Sequence, residues 1–193
     1  MKQLPIGLER RLLDAVLMDP VCAVVLERMP TLRLREWWLT AGAVFQNVWN
    51  AVEGFPPGGG IKDYDVFYFD DSDLSWEAED AVIARAAELF TDVPASVEVR
   101  NEARVHLWYE AKFGCPAPAY VSAADAMESF ASTTCCVGVT QSDGRLLVHA
   151  PFGLDDVFAM VMKPNRRLAP KHVYDDKVAS YRRRWPSLSA EPW

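Results

Sequence analysis

Residues 56–60 read Pro-Pro-Gly-Gly-Gly, and no helix or strand passes through such a run. Proline fixes φ and removes a backbone donor, and consecutive glycines carry no side chain that favours a regular form. One element must stop before this point and another begin after it. What begins is "IKDYDVFYFD", Ile61–Asp70, whose aromatic and β-branched content reads as a buried strand. Two aspartates, Asp63 and Asp65, stand at its mouth.

Residues two apart on a strand share a face, so these carboxylates aim together, with Cα atoms roughly 6–7 Å apart. Like charges at that spacing raise a pKa unless a cation lies between them. Mg²⁺ takes hard oxygen ligands, usually one or two carboxylates together with substrate phosphates. A metal–nucleotide site is therefore one reading of the pair, and a solvated loop end is the other. Glu98 adds a third acid. It lies in "ASVEVRN", where Val97 and Val99 alternate with Glu98 and Arg100 as in a half-exposed strand. Beside the first strand, Glu98 would face the same site, and three acids on divalent ions can hold a triphosphate for in-line displacement. By itself the "VEV" strand is more often a sheet with one wet face.

The chain has 193 residues, 50% of them hydrophobic, which suits a single domain with a sizeable core. Its net charge of −7 argues against binding long nucleic acid, which asks for a basic face. A small nucleotide is compatible with it. The four cysteines, Cys22, Cys115, Cys135 and Cys136, form no CxxC and read as buried or half-buried thiols of a reducing compartment. His106, His149 and His172 do not cluster, so zinc is not expected. No membrane span or signal peptide is read, and a cytoplasmic protein is expected.

Residues Leu8 to about Met29 read as helical, broken by Asp19-Pro20 as an N-cap followed by proline. "REWWLTAGAVFQNVWNAVEG" reads as one helix ending at Gly54. A helix capped by Ser75 or Asp73 follows the first strand, and a helix ending at Gly114 follows the second. "SAADAMESFA" starts as a capping box on Ser122, and "TTCCVGVT" and "RLLVHA" read as strands joined at "QSDG". "FGLDDVFAMVMKPN" reads as a short helix or strand, and Asp155 and Asp156 as its cap. A last helix runs to about Arg184. Arg182–Arg184 read as cations in a final turn, with a phosphate- or partner-binding patch as the alternative. The fold class is α/β (α+β), a small mixed sheet flanked by helices, in one domain. Its divisions are an N-terminal helical segment 1–34, a core 35–165, and a C-terminal helix and tail 166–193.

The order "TAGAV", then "DYDV", then "VEV" resembles the nucleotidyltransferase superfamily with the polymerase-beta-like fold. Its pattern is a glycine and a small residue at a helix start, an Asp-x-Asp leading an apolar strand, and a later acid on the next strand. The resemblance is closer to a bacterial family of uncharacterised nucleotidyltransferase-like proteins, through "AGAVFQNVWN", "IKDYDVFYFDDSDLSWE", "VEVRNEARVHLWYEAKFG" and "APFGLDDVFAMVMKPN". It covers most of Ala41–Asn165. The resemblance implies that Asp63 and Asp65 bind the metal, Mg²⁺ or Mn²⁺, with Glu98 as the third carboxylate toward an accepting hydroxyl. It implies that Gly42, with Ala43 after it, lets a triphosphate approach the backbone. Ala43 departs from the pattern's Gly or Ser, so a hydroxyl contact to phosphate is missing. Residues 44–62 also make a longer connection than the pattern has, which the Pro/Gly loop absorbs.

Asn47 and Arg104 are further candidate nucleotide contacts, and His106 a candidate neighbour of the acceptor. Trp37, Trp38, Trp49 and Trp108 are read as core or as base-stacking residues. The expected activity is transfer of a nucleoside monophosphate from an NTP to an unknown hydroxyl acceptor. The alternatives are a catalytically silent member that binds nucleotide or protein, and a metal-dependent phosphohydrolase using the same acids.

Overall fold

The computed structural model describes residues 6–193, and the first five residues of the N-terminal segment 1–34 lie outside them. Helix α1 (Ile6–Leu17) and α2 (Pro20–Arg28) meet at Asp19, whose carboxylate accepts from the Val21 amide while proline opens α2. Proline loses nothing there, because the first helical amide has no intrahelical partner.

The segment expected as one helix from residue 35 divides. Trp37–Thr40 is strand β1, and helix α3 begins only at Gly42 and runs to Glu53. Gly54 ends α3 in the left-handed conformation. Two adjacent tryptophans, a leucine and a threonine favour a strand, and the backbone at Ala41 breaks the path between the two elements. After the Pro/Gly loop come β2 (Asp63–Tyr68), α4 (Trp76–Leu89, capped by Ser75) and β3 (Ser96–Asn101). Then follow α5 (Val105–Phe113), α6 (Ala123–Met127, capped by Ser122), β4 (Gly138–Ser142) and β5 (Arg145–His149). "FGLDDVFAMVM" is both things it resembled, α7 (Asp155–Phe158) and then β6 (Val161–Met162). Helix α8 (Lys171–Arg182) and a short β7 (Ser189–Ala190) close the chain.

The main sheet has the order β3-β2-β1-β4-β5, with β2 and β3 parallel and the other neighbours antiparallel. This is the mixed α/β architecture expected. The parallel pair needs a crossover, which α4 supplies. The strand missed in the sequence, β1, is the central one.

Register sorts the side chains into two faces. Tyr64, Val66 and Tyr68 of β2 lie with Trp37, Leu39 and Val99 on the core face, all at most 5% exposed. Helices α2, α3 and α4 pack against the sheet. On the other face lie Asp63, Asp65 and Phe67 with Trp38, Thr40, Glu98 and Arg100. That face is only partly covered, where Phe130 meets Phe67 edge to face at 5.6 Å.

All four cysteines are free, and Cys22, Cys135 and Cys136 are buried. Among the described residues no helix is long and apolar enough to cross a membrane.

Candidate active site

The aspartates of the DxD are positioned from behind. Tyr64, between them, points into the core and donates from its hydroxyl to Asp19 at 2.9 Å. Asp19, 1% exposed, also accepts from Asn47 Nδ2 at 2.9 Å. A buried carboxylate is tolerated when donors converge on it. This knot ties α2, α3 and β2 together, and it fixes which way Asp63 and Asp65 face.

Asp65 is the register partner of Glu98 on β3 and of Thr40 on β1. Paired residues on neighbouring strands share a face at about 4.8 Å strand spacing. Burial first, and then the charges of Glu98 and Asp63, push Asp65 up to about 6. Lys177 of α8 and Arg100 partly offset this. The structure thus brings the three sequence-predicted acids to one patch of one sheet face.

It does not draw them into a closed cage. Among the described residues no group of three His, Cys, Asp or Glu side chains is arranged to hold an ion. The reason is visible at Glu98, whose carboxylate accepts from Arg100 Nη2 at 3.1 Å, while Asp63 is exposed. The expected three-ligand set is therefore, as the chain stands, an aspartate pair with an ion-paired glutamate beside it. A pair of hard oxygen donors under mutual repulsion suits a divalent cation that takes its remaining ligands from phosphates and water.

The start of α3 lies on the other flank, because Thr40 pairs with Asp65 and α3 begins two residues later. Ala41 holds φ 52° and ψ −138°, a conformation unfavourable for a residue with a Cβ. The amides of Val44 and Phe45 return to the Ala41 carbonyl, and no side chain caps the helix. The amides of Gly42 and Ala43 are thus the donors that a helix start leaves over. They suit an anion. Ala43 is fully buried as a whole residue, backbone included, so half-buried Gly42 is the one of the two that an anion can meet.

Two expected nucleotide contacts turn inward instead. Asn47 is 1% exposed: it donates to Asp19 and to the Ala43 carbonyl, and its Oδ1 accepts from the Gly58 amide at 2.8 Å. Its amide is spent on anchoring the Pro/Gly loop. Arg104 pairs with the nearly buried Glu79 and donates to the Leu74 carbonyl, so its charge is neutralised by α4. His106 has a buried Nδ1 without a hydrogen-bond partner. Trp37 and Trp49 are core, whereas Trp108 is 41% exposed. Arg184 is no solvated helix end, since it donates to the Gly59 carbonyl of the Pro/Gly loop.

Lys177 and Glu102 were missed. Lys177 is one of several charged residues on a polar helix and carries no signal in the sequence. Glu102 carries a partial one: it continues the period of two of Glu98 and Arg100, although β3 ends at Asn101 and Glu102 opens a short 3₁₀ turn.

A family model described as nucleotidyltransferase matches residues 27–190. The fold is similar to a solved structure titled "The NMR structure of the protein reveals a CCA-adding enzyme head domain", with a TM-score of 0.74 at 22% identity, covering 96% of each chain. No curated protein matches the chain. With the sheet order and the placement of the DxD on β2, the match over 27–190 means that the chain belongs to the nucleotidyltransferase family.

Proposed function

We propose that the protein transfers a nucleoside monophosphate from an NTP to a hydroxyl acceptor at the open sheet face. The observation that carries this reading is the register that sets Asp65 opposite Glu98, with the uncapped start of α3 on the far flank. Asp63 and Asp65 are the residues that would hold Mg²⁺ or Mn²⁺. Bound there, the ion neutralises triphosphate charge and favours a hydroxyl nucleophile.

The Gly42 amide at the start of α3 meets the outer phosphates, and Lys177 adds a cation near Asp65. The acceptor oxygen forms a bond to the α-phosphorus. The bond from the α-phosphorus to the bridging oxygen breaks, and pyrophosphate leaves with that electron pair. The hydroxyl proton passes to Glu98, freed from Arg100, or to water.

The test is calorimetric titration of each NTP, with Mg²⁺ and with Mn²⁺, into the wild type and into Asp63→Asn/Asp65→Asn. Metal-dependent binding by the wild type, weakened about tenfold or more in the double variant, is the expected result. Absence of binding by the wild type would overturn the reading in favour of a silent scaffold. Phosphate release without any acceptor would instead favour a phosphohydrolase.

A further inference from the structure

Beside the carboxylates lies a cavity of about 610 Å³; Arg100 and Lys177 stand at its edge, but the reaction above places no substrate body inside it. Its position follows from the pleat. Phe67 is the next residue after Asp65 on the open face, and Arg100 the next after Glu98; both line the cavity. It therefore starts about 6–7 Å beyond the acids, on the side away from α3. The acids stand between the helix start and the cavity.

Its walls and floor differ in kind. Trp76 and Trp108 stand at the wall 59% and 41% exposed, although both are large apolar groups that a core would take. Glu102 lines the same space, is only 6% exposed, and has no hydrogen bond or ion pair to its carboxyl among the described residues. A buried carboxyl without a partner is costly to a fold. A ligand group that meets it removes that cost.

We propose that this cavity is the acceptor subsite, and that it takes a small hydroxyl compound with an aromatic or alicyclic body and a polar group for Glu102. The assignment rests on the nucleotidyl-transfer reading. In-line displacement puts the attacking oxygen and the leaving pyrophosphate on opposite sides of the α-phosphorus. With pyrophosphate at the start of α3, attack comes from the cavity side. The volume falls in the range of small-molecule sites. Arg100, Arg104, Lys112 and Lys177 also line the cavity, but Arg100 and Arg104 are ion-paired with Glu98 and Glu79, and a nucleic-acid phosphate would not use the buried acid Glu102 as a floor.

The probe is tyrosol, 4-(2-hydroxyethyl)phenol, which has a ring, a phenol for Glu102 and a primary alcohol. Its binding is read by saturation-transfer NMR on the full chain, without nucleotide. Val173→Trp fills the cavity from α8, and Trp108→Ala removes an exposed wall without disturbing the core. The expected result is that tyrosol binds the wild type, is lost from Val173→Trp, and binds Trp108→Ala about tenfold more weakly. NTP binding stays within about twofold in both variants.

No tyrosol binding by the wild type, or unchanged binding by both variants, overturns the proposal. Loss of NTP binding in both variants also overturns it, and makes the cavity the nucleoside pocket. Displacement of tyrosol by a short oligoribonucleotide would reassign it to a nucleic-acid end. If tyrosol binds but the wild type binds no NTP, nucleotidyl transfer itself fails, and the acceptor assignment with it.

Discussion

Asp65 sits in an electrostatic environment that the fold alone does not need. Burial and two neighbouring acids raise it from 3.8 to about 6, so the folded chain binds that proton more tightly than the unfolded one. The stability this contributes is present below pH about 3.8 and is lost as pH rises through about 6. At pH 7.5 the ionised carboxylate costs about 3 kcal/mol. Asp65→Asn should therefore melt higher than the wild type at pH 7.5 in a chelating buffer, with the gap closing toward pH 4. A gap that does not change with pH would mean that Asp65 is not strained as described. The DxD itself was legible, because a spacing of two on a strand fixes a common face. The cations that partly relieve Asp65 were not all legible, since Lys177 arrives only through the packing of α8. That Asn47 and Arg104 turn inward was hidden for a related reason. Asn47 sits on a helix buried nearly all round, so the sequence does not mark which polar residues turn inward.

At the scale of elements, the sequence showed where elements break more clearly than what each one is. Pro56–Gly60 ended α3 and started β2, and Asp19-Pro20 divided α1 from α2. Strand β1 was hidden because its four residues are too short to show alternation, and they run straight into the apolar face of α3. The junction between them is Ala41, held at a positive φ where glycine would be relaxed. Ala41→Gly should stabilise the fold by about 1 kcal/mol, because it removes that strain at an exchange of one methyl. Urea unfolding measures this. An unchanged or lower midpoint would mean that the Ala41 methyl is better packed than its backbone is strained. If the strain also sets the Gly42 amide toward phosphate, Ala41→Gly weakens NTP binding while it raises stability. Such opposed effects distinguish a functional strain from an incidental one.

Across the whole molecule, the C-terminal segment holds the loop that delivers the DxD. Residues 54–62 connect α3 to Asp63, and little of their own chemistry orders them. Asn50 donates to the Gly59 carbonyl at 3.1 Å, Asn47 accepts from Gly58, and Arg184 comes from far along the chain to the same Gly59 carbonyl. The Arg184 guanidinium lies 4.8 Å from the ring of Trp185, itself 1% exposed and packed on Trp49 of α3. A Cβ on Gly60 would overlap that guanidinium, so the glycine run is what admits it. This gives the glycines a reason that local turn geometry does not. Arg184→Ala removes a charged hydrogen bond and a cation–π contact, and a loss of about 1–2 kcal/mol is expected. Arg183→Ala, from the exposed neighbour, should stay within about 0.5 kcal/mol of the wild type. Because the loop leads directly into Asp63, Arg184→Ala should also weaken metal-dependent NTP binding, and Arg183→Ala should not. Unfolding in urea and calorimetry on the two variants side by side decide it. Equal behaviour of the pair would mean that the loop holds its shape without the C-terminal segment, and that the DxD owes its position to the Asp19 knot alone.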